Sequence, residues 1–188
     1  ITVPAYTSYT ERDYEYIIDD CTPTVIVVSN NSQYEKIKNI IPKKNFIKKV
    51  ISFDEINSQI ETPFLNVNNI FKRVNYRNQD FLNLGIRRND IACIIYTSGT
   101  QGNPKGVILT HGGILSNCDG AHSLIKKFTS KKPKFLTWLP LSHSYEHTVQ
   151  FVQIALGAKV FYAESIDKLI KNMSDCSPEI MTAVPRFY

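Results

Sequence analysis

Seven residues able to surround a polyanion stand within nine positions of one another: Thr97, Ser98, Gly99, Thr100, Gln101, Gly102 and Lys105. The hydroxyls and main-chain N–H groups of such a loop donate hydrogen bonds, and the lysine adds a full positive charge. Glycines at 99, 102 and 106 allow positive φ and let main-chain N–H groups face a common centre. No carboxylate lies between Ile94 and His111 to repel an anion. Many donors, one cation and no acid suit a polyphosphate. A second candidate is His143, which follows Pro140-Leu-Ser. A histidine at the end of a strand would face the carboxyl edge of a sheet, where ligands gather. The plainer alternative is a helix N-terminal residue satisfied by its own backbone.

The elements that would carry these residues alternate strand and helix. An apolar run, Ile91 to Tyr96, leads into the loop, and β-branched Val107-Ile-Leu-Thr110 leads out of it as extended chain. That exit differs from the P-loop of NTPases, where Gly-Lys-Ser/Thr opens a helix; here Lys105 sits between Pro104 and Gly106. Ile114, Cys118, Ala121 and Ile125 recur at helical spacing, with His111 as the expected cap. Phe135 to Leu139 reads as a strand, His143 to Leu156 as a helix stopped by Gly157, and Ala158 to Tyr162 as a strand. Ile166 to Met173 is a predicted helix and Glu179 to Val184 the last strand. Earlier, Thr10 and Asp13 form a capping box ahead of Tyr14, Ile17, Ile18 and Cys21. Val25 to Val28 reads as a buried strand, Ser32 to Ile41 as a helix, and Phe46 to Phe53 as a strand. From Glu61 to Asn89 the periodicity fails, which predicts a long surface connection. The pattern predicts a layered αβα, α/β fold with a mostly parallel sheet.

The loop, Tyr-Thr-Ser-Gly-Thr-Gln-Gly-Asn-Pro-Lys-Gly-Val from Tyr96 to Val107, resembles the phosphate-binding signature of the adenylate-forming (AMP-binding) superfamily, with Gln101 as its one departure. Leu139-Pro-Leu-Ser-His-Ser-Tyr-Glu-His147 resembles the next motif of that family, most closely its form in bacterial long-chain fatty acid–CoA ligases. His147 stands where those enzymes usually carry Arg. The opening Ile1 to Thr10 and the closing Val184-Pro-Arg186 are similar to the family's flanking segments.

The resemblance implies a piece of the large N-terminal domain, residues 1–188, with the C-terminal domain and later motifs elsewhere. It implies an acid–thiol ligase that converts a fatty acid first to an acyl-adenylate and then to a CoA thioester. ATP, Mg2+ and CoA are the implied cofactors and co-substrates. Residues Thr97 to Gly102 and Lys105 would hold the ATP phosphates. Lys105 and His143 would act in catalysis, and His143 would also touch the acyl carboxylate. Tyr145, at the matching aromatic position, has two readings: lining of the acyl pocket, and core packing, which is the first choice for it and for Trp138. By itself the chain is expected to be incompetent in catalysis. The alternatives are a non-catalytic remnant, or half of a split enzyme complemented by a separate polypeptide.

One rival pattern is embedded here. His143-Ser-Tyr-Glu146-His147 spells H-x-x-E-H, the inverted signature of zinc metalloproteases. That reading leaves the glycine loop unexplained, and no metal ligand is assigned.

Composition bounds the rest. With 188 residues, the chain is long enough for one core and too short for two ordinary domains. A net charge of +5 does not imply nucleic acid. Lysines cluster at 43, 44, 48 and 49 and again at 126, 127, 131, 132 and 134. They read first as solvated helix ends, and second as contacts for an anionic membrane or CoA. Cys21, Cys93, Cys118 and Cys176 show no paired spacing and read as reduced core thiols. The expected location is cytoplasmic, with peripheral contact at the inner membrane face as an addition.

Overall fold

The computed structural model describes residues 1–57, 63–73, 84–97, 103–129 and 131–185. The single core expected from chain length resolves instead into two compact units, Ala5–Gly85 and Ile1–Pro4 with Ile86–Tyr188. Each encloses apolar clusters of its own.

In the first unit, α1 (Glu11–Cys21) starts at the expected capping box. The Thr10 hydroxyl accepts from the Asp13 N–H at 3.3 Å, and the Asp13 carboxylate accepts from the Thr10 N–H at 2.9 Å. Strands β1 (Val25–Val28), β2 (Lys49–Ser52) and β3 (Phe64–Asn66) pair in parallel in that order. Ile18, Val28, Tyr34, Ile37, Ile40, Ile41, Ile47 and Val50 form the core.

Three expectations change here. β1 is a strand but not a buried one, because Val25 and Val27 are exposed on the edge of the three-stranded sheet. The helix expected over 32–41 stops early: α2 spans Asn31–Glu35, and the chain continues in tight turns to a 3-10 turn at Ile41–Lys43. Pro42 disfavours α geometry at Ile41, and the tighter turns still bury Tyr34, Ile37 and Ile41. The connection expected over 61–89 contains β3 and α3 (Val67–Arg73); its run of Asn hid a strand edge and a helix start, where Asn66 caps the N–H of Asn68 at 2.9 Å.

The second unit holds the candidate site. β4 (Ile91–Thr97) and β5 (Lys105–Thr110) form an antiparallel hairpin, and Thr2 adds a parallel bridge to β4 at Cys93. α4 (His111–Ile125) and α5 (Ser144–Ala155) follow, with β6 (Lys134–Thr137), β7 (Lys159–Tyr162), α6 (Leu169–Cys176) and β8 (Ile180–Met181). The second sheet is parallel, in the order β7-β6-β8. Cys93 and Ile95 of β4 pack with Ile114 and Cys118 of α4 and Val152 of α5. The four cysteines are free thiols; Cys93, Cys118 and Cys176 are buried and Cys21 is half-buried. Among the described residues no helix is long and apolar enough to cross a membrane.

Two boundaries move for visible reasons. α6 begins at Leu169, not Ile166, because residues 165–168 form a turn in which Lys168 N–H donates to the Ser165 carbonyl, leaving Ile166 exposed. β8 ends at Met181 because the Thr182 carbonyl accepts the Trp138 indole N–H at 2.6 Å, in place of a ladder partner.

Candidate functional site

The hairpin register places Thr97 opposite Lys105, the last pair before the chain crosses from β4 to β5. Thr97 and Lys105 are therefore brought together at the base of the glycine loop. Ser98, Gly99, Thr100, Gln101 and Gly102 lie outside the described residues. Lys105 is exposed and makes no ion pair among the described residues. An exposed lysine without a carboxylate partner keeps its full charge for an arriving anion.

Gly106 has a different job from the one expected. Its φ is not in the left-handed region; among the described residues the positive-φ glycines are Gly85 and Gly157. A Cβ at Gly106 would instead lie 2.9 Å from Ile94 Cγ2 and 3.3 Å from Tyr96 Cζ. The position needs glycine because β4 side chains lie across it. Beyond β5, the cap of α4 is Thr110 and not His111: the Thr110 hydroxyl accepts from Gly113 N–H at 3.1 Å.

His143 follows the carboxyl end of β6 and caps α5. Its backbone is extended, with φ −87 and ψ 134, and its Nδ1 accepts from Tyr145 N–H at 3.2 Å. The backbone-capping alternative therefore describes one nitrogen. With Nδ1 accepting, neutral His143 carries its proton on Nε2, which leaves an N–H donor on an exposed ring. The capping bond occupies one edge of the imidazole and leaves the other edge open.

Tyr145 is half exposed, which overturns core packing as its first reading. Trp138 does pack in the core, against Leu136, Leu169 and Cys176.

The H-x-x-E-H pattern does not make a zinc pair. His143 stands outside α5 as its cap, so the two imidazoles do not share a helical face. His147 Nδ1–H donates to the Leu141 carbonyl at 3.0 Å, and its ring meets Phe151 edge-on. Glu146 turns inward and is completely buried. Among the described residues no three His, Cys, Asp or Glu gather as a metal site.

Glu146 is the residue that motif reasoning passed over. Its Oε2 accepts from the Thr182 hydroxyl at 2.6 Å, while Oε1 lies within 3.5 Å of no well-aligned donor among the described residues. Burial pushes its carboxyl pKa up, and the hydroxyls of Thr182 and Thr137 act in the opposite sense. Gln153, two turns along α5, donates to the Thr137 hydroxyl at 2.9 Å and also has an unpartnered oxygen. The signal in the sequence was two polar residues seven apart, Glu146 and Gln153, in helical register with each other and beside apolar Val152.

This fold occurs in solved structures, a CoA ligase among them. A long-chain-fatty-acid-CoA ligase from Archaeoglobus fulgidus superposes with a TM-score of 0.78 at 24% identity, over 98% of this chain and 35% of that one. ATP-bound MatB from Rhodopseudomonas palustris gives 0.77 at 22% identity, over 99% of this chain and 34% of that one. Residues 1–188 match the AMP-binding enzyme family, and the chain belongs to it. Long chain acyl-CoA synthetase 3 of Arabidopsis thaliana is 28% identical over 98% of this chain and 29% of its own length. The peroxisomal long chain acyl-CoA synthetase 7 of the same plant is 41% identical over 53% of this chain and 14% of its own. The chain thus spans under a third of the length of these relatives.

Proposed function

We propose that this chain supplies the phosphate loop and the capping histidine of an AMP-forming acyl-CoA synthetase acting on long-chain fatty acids. The observation that carries the reading is the unpaired Lys105 opposite Thr97, at the base of a loop without carboxylates, in a chain of this family. The names of the relatives support the long-chain substrate.

In the first half-reaction the fatty acid carboxylate attacks the α-phosphorus of ATP. The bond to the bridging oxygen breaks, and pyrophosphate leaves with its electron pair. In the second, the CoA thiol attacks the acyl carbon, AMP departs, and the thiol proton passes to solvent. The first step brings two anions together, so positioning and charge stabilisation supply most of the rate. Lys105 and the hydroxyl of Thr97 neutralise the departing pyrophosphate. The Nε2–H of His143 donates to the carboxylate or α-phosphate oxygen. Mg2+ bound with the nucleotide would offset its phosphate charge.

Leu124 in the last turn of α4 and Phe128 just beyond it are both exposed, with Lys126, Lys127, Lys131 and Lys132 close to them in sequence. Exposed apolar side chains flanked by lysines favour peripheral contact with an anionic membrane face, where a fatty acid partitions.

Mg-ATP binding, followed by ligand-observed NMR on this chain beside Lys105→Ala, tests the phosphate role. Binding lost in the variant is the expected result. Equal binding by both would remove Lys105 from the site.

A further inference from the structure

Glu146 has no part in the phosphate chemistry, yet it is a carboxylic acid with no exposed surface. Burying such a group is costly unless hydrogen bonds hold it, and an apolar residue would fill the same volume more cheaply. Its position offers a reason. Glu146 lies in the first turn of α5, three residues after His143. The Thr182 hydroxyl binds its Oε2 from the segment that leaves β8, and the Thr137 hydroxyl lies beside it at the end of β6. One side chain thus ties the start of the helix to the carboxyl ends of two adjacent parallel strands.

Other bonds fix the same short loop. His143 N–H donates to the Pro140 carbonyl at 3.0 Å, and His147 Nδ1–H donates to Leu141 O from the second turn. His147 therefore clasps the loop to the helix, and Glu146 clasps the helix to the sheet. Together they leave His143 little freedom to move relative to β6.

We infer that Glu146 is the positioning residue that holds His143 at the carboxyl edge of the sheet. The inference rests on the reading of His143 given above. Gln153, on the same helix, donates to the Thr137 hydroxyl at 2.9 Å and ties α5 to β6 a second time.

The test uses the intact protein with Glu146→Leu and Glu146→Gln. Fatty-acid-dependent ATP–pyrophosphate exchange gives kcat and the KM for ATP. Nitrogen-15 NMR of the imidazoles gives the His143 tautomer without reference to activity. Glu146→Leu should lower kcat by ~100-fold, the scale of a small misplacement of a reacting group, with KM for ATP changed less than ~3-fold. Its His143 should lose the preference for the Nε2–H tautomer. Glu146→Gln, neutral and able to accept the same hydroxyl, should recover most of the rate and the tautomer. A Glu146→Gln enzyme as slow as Glu146→Leu would overturn the inference, since charge would then be what matters. So would an unchanged tautomer or rate in Glu146→Leu. If Glu146→Leu does not fold, Thr182→Val removes one donor and should still cost ~10-fold in kcat, the lower end of a positioning loss. A wild-type rate there overturns the inference equally. If the intact wild type shows no exchange with any fatty acid, the proposed function fails, while the tautomer measurement still decides the role of Glu146.

Discussion

Tyr96 and Gly106 are cross-strand partners in the β4–β5 hairpin, and the tyrosine ring lies where a side chain at 106 would have to go. Ile94 closes the same space from two residues away, through a branch methyl that cannot swing aside. Lys105 and Gly106 are adjacent, so the packing that demands glycine also fixes the strand that carries the lysine.

Gly106→Ala should therefore destabilise this unit by ~1–3 kcal/mol, as overpacking does. Denaturant unfolding followed by the fluorescence of Trp138, the chain's single tryptophan, measures it. A variant as stable as wild type would show that Ile94 and Tyr96 yield easily.

His143→Ala in the intact protein should lower acyl-adenylate formation by ~10²–10³-fold, the usual effect of deleting one aligned donor. ATP affinity should change little, because Lys105 and the loop remain. Pyrophosphate exchange and equilibrium binding separate the two effects.

Glu146→Gln should change stability in a pH-dependent way. Burial raises the Glu146 pKa in the folded state, so the folded chain holds a proton that the unfolded chain releases earlier. The Glu146 contribution is thus most favourable at acid pH and is lost as pH rises through the folded value. The glutamine variant should match wild type near pH 4 and gain on it progressively as pH rises, levelling off above the folded pKa. Thermal melts across that range check the sign. Constant separation between the two proteins would mean that Glu146 titrates normally.

In the other unit, Thr10→Ala removes the side-chain cap of α1 and the hydroxyl that does most to lower the Asp13 pKa, while the main-chain N–H bond to Asp13 remains. It should cost ~1 kcal/mol, as N-cap deletions do. A lowered carboxyl pKa stabilises the fold above the ordinary carboxylate range, and that contribution fades as pH falls through the folded value. The difference between wild type and variant should therefore shrink in acid, which urea titrations at two pH values would reveal.

Local rules made some features legible in the sequence. The capping box at Thr10 and Asp13, the hairpin strands around the glycine loop, and the helix stopped by positive-φ Gly157 each depend on a few neighbouring residues. Lys105 and His143 were legible as candidates because their motifs are contiguous. What was hidden depended on distant partners. α2 ends at Glu35 although the apolar pattern runs on to Ile41, and β3 is a strand only because β2 offers it an edge. Gly106 looked like a turn glycine and is a packing glycine, since the atoms that exclude a side chain come from the opposite strand. Glu146 looked like part of a zinc signature. Only the tertiary structure turns it inward onto Thr182, thirty-six residues away. The sequence alone determined the chemistry this chain can present, because donors and charge are properties of residue types. The folded chain decided which of those groups face solvent and which are buried to hold the others in place, because burial depends on partners that sequence spacing does not reveal.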